Sequence, residues 1–220
     1  MQSRRAGIYG GTFDPVHNGH LKVARGVQKL FALDELILVP ACMPPHKRGA
    51  GISSAFHRFA MLALATESDE RLTISTVELD QPDRPYAVET VARMQEKLGS
   101  DCRLFFVMGA DSWSEITAWR EWERLLTMCD HVVVTRPGYE LPADRISGNV
   151  VDVRGKDATA IQVMIDESPS PQVFVTDSVR EDVSATAIRA AARNGKQAEL
   201  AQMVPPTVAN HIEKYELYRN

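Results

Sequence analysis

Two histidines three residues apart, His17 and His20, follow a glycine pair and a proline in the stretch IYGGTFDPVHNGH at residues 8–20. If a helix begins near Asn18, both imidazoles project from its first turn toward the same crevice. The free N–H groups and the positive dipole end of a helix N-terminus favour phosphate binding. These residue types at this spacing therefore indicate a site for a phosphorylated ligand.

The glycine pair comes directly before this motif. Gly10 and Gly11 end a short apolar run, where glycine lets the backbone approach a ligand closely and adopt a positive φ. The order GGTFD is not GxGxxG, so the sequence disfavours a dinucleotide-binding dehydrogenase.

Short runs rich in β-branched residues alternate with longer helical patterns around this motif. The predicted strands are 6–11, 35–40, 71–76, 103–109, 131–136 and 172–176, and the predicted helices are 19–31, 54–66, 87–98, 121–128, 184–195 and 205–218. The alternation predicts an α/β, Rossmann-like, doubly wound fold with a mainly parallel five- to six-stranded sheet and helices on both faces. Ligands of such sheets bind outside the carboxyl ends of the strands, where Gly10 and Gly11 fall. Most of 137–172 is irregular and receives no function.

The length, net charge and composition of the chain restrict the class of protein. The 220 residues fit a single domain, divided into a core over 1–182 and a small helical C-terminal part over 183–220. A net charge of −4 disfavours nucleic acid as a partner, and no run approaches the roughly 18 apolar residues of a membrane span. Cys42, Cys102 and Cys129 are too isolated to indicate a disulfide or a metal site. We expect a cytoplasmic protein, with assembly into a homo-oligomer left open.

A second motif, VSATAIR at 183–189, lies at the start of a predicted helix. The hydroxyls of Ser184 and Thr186, the backbone N–H groups and Arg189 can meet anionic oxygens there. Ser-x-Thr followed by arginine is also common capping chemistry. Its pairing with the two histidines at the other end of the chain favours the phosphate interpretation.

Together, GGTFDPVHNGH and VSATAIR resemble the two signatures of the nucleotidyltransferase superfamily. PPHK at 44–47, GAD at 109–111, AWREW at 118–122 and YELY at 215–218 resemble the bacterial nicotinate mononucleotide adenylyltransferases in particular. The resemblance implies an enzyme of NAD biosynthesis that transfers the adenylyl group of ATP to nicotinate mononucleotide by direct in-line attack, giving deamido-NAD and pyrophosphate. It also implies Mg²⁺ bound through the substrate phosphates, with no metal ligand from the protein.

The same resemblance implies roles for individual residues. The catalytic residues are His17, His20, Lys47 and Arg189. The ATP-binding residues are Gly10, Gly11, Thr12, Phe13, His17, Gly19, His20, Gly109, Asp111, Ser184, Thr186 and Arg189. The mononucleotide-binding residues are His46, Lys47, Tyr86, Thr90, Trp119 and Arg120. Trp119 is expected to stack on the pyridine ring, and backbone N–H groups near Thr90 and Arg120 are expected to receive the nicotinate carboxylate.

Some positions depart from the family pattern. Ala41, Ala87 and Ala185 replace polar residues, and Arg120 replaces an aromatic residue or histidine. Phosphopantetheine adenylyltransferase shares the TFDP…NGH start but lacks the PPHK and AW features. A cytidylyltransferase, a flavin-nucleotide adenylyltransferase, a non-catalytic nucleotide-binding protein and an RNA-binding module are further alternatives.

Other polar residues carry no motif and are expected to be structural or exposed. Asp14, which precedes Pro15, is typical of a turn. Arg58 on the second predicted helix is expected to lie at the surface or in an ion pair. His57, His131 and His211 are expected to be structural or exposed.

Overall fold

The computed structural model describes residues 4–42, 52–81, 85–135, 150–177 and 183–219. Its strands are β1 (Arg4–Gly11), β2 (Glu35–Pro40), β3 (Leu72–Ile74), β4 (Cys102–Gly109), β5 (Asp130–Val134), β6 (Val150–Asp152) and β7 (Val173–Thr176). Its α-helices are α1 (Asn18–Leu30), α2 (Ala55–Thr66), α3 (Ala87–Leu98), α4 (Ala110–Ser114), α5 (Trp122–Met128), α6 (Ala158–Asp166), α7 (Ala185–Arg193), α8 (Gln197–Met203) and α9 (Pro206–Lys214), with a 3₁₀ turn at Ile116–Ala118.

The described strands form one parallel sheet in the order β3-β2-β1-β4-β5-β7-β6. From β1 the chain builds outward first through β2 and β3, and then on the other side through β4 and β5. The direction of winding therefore reverses between β1 and β4. A reversal of this kind opens a crevice outside the carboxyl ends of the two strands, and the first motif begins there.

Helices cover both faces of the sheet, as the sequence predicts. On one face, α1, α2, α6, α7, α8 and α9 pack through side chains such as Val27, Met61 and Ile188. On the other face, α3, α4 and α5 pack through side chains such as Val91, Trp113 and Leu125. The middle of β4, Leu104 to Met108, is buried, and its sequence is a continuous apolar run, as expected for a strand covered on both faces.

The structure corrects the prediction in two places. The sheet has seven strands among the described residues, rather than five or six, because β6 adds a strand at one edge within the segment left unassigned. That segment also contains α6, which begins at an Asp157 N-cap. In the C-terminal part, α8 was not predicted, and the last helix ends at Lys214 instead of continuing to 218.

Candidate active site

The turn after β1 is built by close packing. Phe13 is 1% exposed and has a positive φ of 49°, so its ring folds back beneath the strand end. A Cβ on Gly11 would lie 2.9 Å from that ring, closer than real Cβ contacts allow. A side chain at Gly11 would therefore force the Phe13 ring to shift. The Phe13 side chain supports the turn from below, and its assignment to ATP binding stays a prediction.

His17 and His20 cap α1 reciprocally. The backbone N–H of His20 donates to Nδ1 of His17, and the backbone N–H of His17 donates to Nδ1 of His20, both at 3.3 Å. The two rings stack, with centroids 3.6 Å apart and planes 26° apart. Phe13 contacts the His20 ring edge-on at 4.9 Å. The helix start that the sequence predicts is therefore formed by the two histidines themselves.

This capping fixes the chemistry of the rings. A ring nitrogen that accepts a hydrogen bond carries no proton, so each neutral imidazole carries its proton on Nε2. Burial lowers the pKa of His20 well below its ordinary value, and His17 lowers it further. His20 is thus a neutral N–H donor in this structure. The hydrogen bonds of the cap thus place the proton-bearing Nε2 atoms on the sides of the rings that face away from the cap.

Asp14 joins this turn to distant parts of the chain. It is 3% exposed, and its Oδ1 accepts hydrogen bonds from the Ser53 backbone N–H at 3.2 Å and the Tyr218 hydroxyl at 2.8 Å. Its backbone carbonyl accepts from Nη1 of Arg189 at 2.7 Å. The structure therefore gives Asp14 more than the turn role that the sequence suggests.

Arg58 is not a surface residue but is 1% exposed beneath the same turn. Its guanidinium donates to the carbonyl oxygens of Thr12 at 2.8 Å, Cys42 at 3.0 Å and Ser53 at 3.2 Å. Burial lowers the pKa of Arg58, while the charge of Asp14 opposes that shift. One buried cation thus connects the ends of β1 and β2 with the start of α2.

The second motif lies against the first. Ser184 is the N-cap of α7 and accepts from the Ala187 backbone N–H at 3.2 Å. Thr186 and Ser184 are exposed, and Nη2 of Arg189 donates to the Thr186 hydroxyl at 3.3 Å. The contact between Arg189 and Asp14 brings the two motifs together across 175 positions of sequence.

The end of β4 supplies the neighbouring edge of the crevice. Gly109 is the N-cap of the short helix α4, and Asp111 is exposed in its first turn. Because β4 pairs directly with β1, Asp111 lies at the winding reversal that the sequence assigns to the nucleotide. Gly10, Gly11 and Thr12 at the end of β1 are partly exposed beside it.

The described residues assigned to the mononucleotide gather on the other face of the sheet. Trp119 is partly buried, with its ring edge-on to Phe106 at 6.3 Å between centroids. The guanidinium carbon of Arg120 lies 4.7 Å from the centroid of the Tyr86 ring. Tyr86 is the N-cap of α3, so Arg120 places positive charge at a helix N-terminus.

The backbone N–H and the hydroxyl of Thr90 both donate hydrogen bonds within the protein, and its assignment to mononucleotide binding stays a prediction. Its backbone N–H donates to the Tyr86 carbonyl at 3.0 Å inside α3, and its hydroxyl donates to Glu78 at 2.9 Å. The Tyr86 N–H is occupied by the Glu89 carboxylate at 3.1 Å. The first N–H groups of a helix have no acceptor within it, so Ala87 and Val88 offer the available donors here. Burial raises the pKa of Glu78.

His46 and Lys47 lie outside the described residues. Within the described ranges, no cluster of three or more His, Cys, Asp or Glu side chains is arranged to hold a metal ion. No helix in the described part of the chain has the length and apolar character to cross a membrane.

Comparisons with known proteins agree with this geometry. A family model described as cytidylyltransferase-like matches residues 8–191. A probable nicotinate-nucleotide adenylyltransferase from Thermoanaerobacter sp. is 35% identical over 215 residues, covering 98% of this chain and 94% of the relative. A protein of the same name from Pseudomonas paraeruginosa is 35% identical over 217 residues, covering 98% of each chain.

A solved structure shares the fold. Plasmodium falciparum nicotinic acid mononucleotide adenylyltransferase complexed with NaAD superposes with a TM-score of 0.73 over 98% of this chain and 97% of the other. The sequence identity is 17%, so this likeness supports the fold alone.

Proposed function

This chain belongs to the cytidylyltransferase-like family and to the nicotinate-nucleotide adenylyltransferases, and we propose that it transfers the adenylyl group of ATP to nicotinate mononucleotide. The products are nicotinate adenine dinucleotide and pyrophosphate, and the enzyme serves NAD biosynthesis. The observation that carries the proposal is the hydrogen bond from Arg189 to Asp14, which joins both phosphate-binding motifs at one crevice.

The reaction is a direct displacement at phosphorus. An oxygen of the mononucleotide phosphate attacks the α-phosphorus of ATP, the bond from that phosphorus to the bridging oxygen breaks, and pyrophosphate leaves with the electron pair. The second pKa of a phosphate monoester is about 6, so the nucleophile is already ionised at neutral pH. No general base and no covalent enzyme intermediate are required.

The task of the protein is to position two polyanions and to stabilise the charge of the transition state. The Nε2–H groups of His17 and His20 point hydrogen bonds at phosphate oxygens. Arg189 adds a positive charge, and the N-termini of α1 and α7 add the positive ends of their helix dipoles. Asp111 is assigned to the ribose or adenosine. Lys47 and His46 are proposed to contact the phosphates as well.

Mg²⁺ is the proposed cofactor. The assigned phosphate-contacting side chains in the described residues are mainly nitrogen donors, whereas Mg²⁺ prefers oxygen ligands and keeps several waters. The donor set therefore fits a cation that is held by the phosphate oxygens of ATP. When bound there, Mg²⁺ neutralises charge on the leaving pyrophosphate.

A preference for nicotinate over nicotinamide follows from charge at the start of α3. The N–H groups of Ala87 and Val88 and the guanidinium of Arg120 are all suited to a carboxylate. A carboxamide has one acceptor oxygen, and its NH₂ group would face the N–H donors of the site instead of an acceptor. Loss of one charge-assisted hydrogen bond costs about 1.5–3 kcal/mol, or roughly ten- to 150-fold in specificity.

The test is release of pyrophosphate with ATP and Mg²⁺, using nicotinate mononucleotide, nicotinamide mononucleotide and phosphopantetheine in parallel. We expect strong release with the first alone, its loss in EDTA and in His20→Ala, and its retention in the control His211→Ala, which alters a histidine on α9. Comparable turnover of the two pyridine mononucleotides would refute the specificity, and release with phosphopantetheine alone would refute the acceptor.

A further inference from the structure

The YELY segment at 215–218 has no role in the reaction described above, yet its last tyrosine reaches the first motif. The Tyr218 hydroxyl donates to Oδ1 of Asp14 at 2.8 Å, across 204 positions of sequence. We infer that Tyr218 is a positioning residue for ATP binding, acting through Asp14 on the turn that carries His17 and on Arg189. This inference rests on the proposed function.

The backbone shows that this contact is specific. After α9 ends at Lys214, the chain turns tightly, and Glu216 and Tyr218 adopt positive φ values of 50° and 70°. Such a conformation is unfavourable for residues other than glycine and persists where surrounding contacts over-determine it. Here Leu217 and Tyr218 pack on the apolar core, and the Tyr218 hydroxyl meets Asp14.

The hydroxyl is also held in its donating form. Burial raises the pKa of Tyr218 and the neighbouring charge of Asp14 raises it further, while a hydrogen bond with the Ser53 side chain acts in the opposite direction. Arg189 lies close enough to influence Tyr218 electrostatically. The phenol therefore stays protonated over the whole physiological range and stabilises the carboxylate oxygen that faces it.

Asp14 transmits this contact to the phosphate site. Its carbonyl holds Nη1 of Arg189, and it lies three residues before His17. On the other side, Arg58 holds the carbonyl of Thr12. The turn between β1 and α1 is thus fixed from two sides, and removal of the hydroxyl leaves the Ser53 N–H as the remaining described hydrogen-bond donor to Oδ1 of Asp14.

The effect should be selective for one substrate. Tyr218 packs on the face of the sheet that carries α1, α7 and α9, whereas Trp119 and α3 lie on the opposite face. A change at Tyr218 is therefore expected to weaken ATP binding and to leave mononucleotide binding intact. A variant that is partly misfolded would instead contain a smaller fraction of active protein, and that fraction would bind ATP and the mononucleotide with unchanged affinities.

The experiment compares Tyr218→Phe with the matched control Tyr215→Phe, three residues earlier, whose ring is half exposed and contacts His57 and His211. The dissociation constant of ATP with Mg²⁺ is measured by calorimetry, and KM for nicotinate mononucleotide by pyrophosphate release. We expect Tyr218→Phe to weaken ATP binding about tenfold, to leave KM for the mononucleotide within about twofold, and Tyr215→Phe to match the wild type.

A double-mutant cycle tests the route through Asp14. If Tyr218 acts through that carboxylate, Tyr218→Phe adds little further loss of ATP affinity in an Asp14→Ala background. Equal ATP affinity in Tyr218→Phe and Tyr215→Phe overturns the inference. So does a double variant of Asp14 and Tyr218 whose loss of ATP affinity is the product of the losses in the two single variants. If Asp14→Ala does not fold, the comparison of the two tyrosine variants decides alone. Because calorimetry needs no acceptor, an enzyme inactive toward nicotinate mononucleotide would contradict the proposed function without deciding this inference.

Discussion

Nδ1 of His17 and Nδ1 of His20 each accept the backbone N–H of the other residue, at 3.3 Å in both directions. The arrangement satisfies two amide groups at the start of α1, which would otherwise lack acceptors. It also leaves both Nε2 atoms as the proton-bearing nitrogens. In the proposed function, structural capping and phosphate recognition use opposite sides of the same two rings.

His20→Ala should lower kcat by about 10²- to 10³-fold, the size expected for loss of one preorganised donor. Because the pKa of His20 is lowered, the free enzyme already holds the neutral ring at pH 6.5, and kcat/KM for ATP should not fall as pH rises from 6.5 to 8. Nitrogen NMR of the imidazoles should show protonated Nε2 and unprotonated Nδ1 at pH 7. A tenfold fall in kcat/KM per pH unit above 6.5, assigned to His20 by the variant, would show a cationic role instead.

Arg58→Met should destabilise the protein by about 3–5 kcal/mol. The substitution removes the donor of hydrogen bonds to three carbonyl oxygens and leaves the buried charge of Asp14 without this neighbouring cation. Urea unfolding measures the loss. The matched control is Arg25→Met, which removes an exposed ion pair to Asp69 at 2.8 Å and should cost at most about 1 kcal/mol. Equal costs for the two variants would contradict a supporting role for Arg58.

His131 should make the protein less stable in mild acid. The side chain is fully buried on β5, and burial lowers its pKa to about 4. In the unfolded chain this imidazole binds a proton near pH 6.5, whereas in the folded chain it binds one only near pH 4. The free energy of unfolding therefore falls as the pH drops from about 6.5 to about 4. A difference of 2.5 pH units corresponds to about 3 kcal/mol.

His131→Phe removes this titration and keeps an aromatic ring against Phe106, whose centroid lies 5.8 Å from that of His131. Urea unfolding at pH 7.5, 5.5 and 4.5 should show a shallower loss of stability in the variant than in the wild type. Some acid dependence should remain, because the lowered pKa of His20 acts in the same direction. If the free energy of unfolding falls equally with pH in the two proteins, the acid sensitivity comes from residues other than His131.

Trp119→Ala should raise KM for nicotinate mononucleotide and leave the dissociation constant of ATP unchanged. Stacking of an aromatic ring on a base contributes about 1–3 kcal/mol, which predicts roughly a five- to 150-fold change. Trp122→Ala is the control, since Trp122 packs against the same apolar cluster but lies within α5. If both tryptophan variants change KM equally, Trp119 is a core residue and the proposed pyridine site is wrong.

The fold was largely predictable because its strong signals are local. The helix α3 and the strand β2 have the predicted bounds. The missed elements are short: β6 has three residues, and α6 has nine with several β-branched side chains. Asp157 before that helix was the available capping signal.

Residue type and spacing could nominate site residues only within the two motifs, and the roles given to His17, His20 and Arg189 remain predictions. The structure brings the two motifs together through the hydrogen bond from Arg189 to Asp14. The buried network of Asp14, Arg58 and Tyr218 was missed, because each of its contacts depends on tertiary packing. One signal was present: Arg58 lies three and four residues before the buried Met61 and Leu62, and so on the apolar side of α2.

The position of β1 in the sheet has a consequence for synthesis of the protein. Its second neighbour is β4, so the edge of β1 opposite β2 stays open on the ribosome until residues 102–109 have emerged. An open apolar strand edge is a template for pairing with other chains. The turn between β1 and α1 is translated well before the residues that contact it, because Arg189 and Tyr218 lie 175 and 204 positions after Asp14. A ribosome-bound fragment that ends before α7 would therefore carry the first motif without these contacts, so the proposed ATP binding would be acquired late during synthesis.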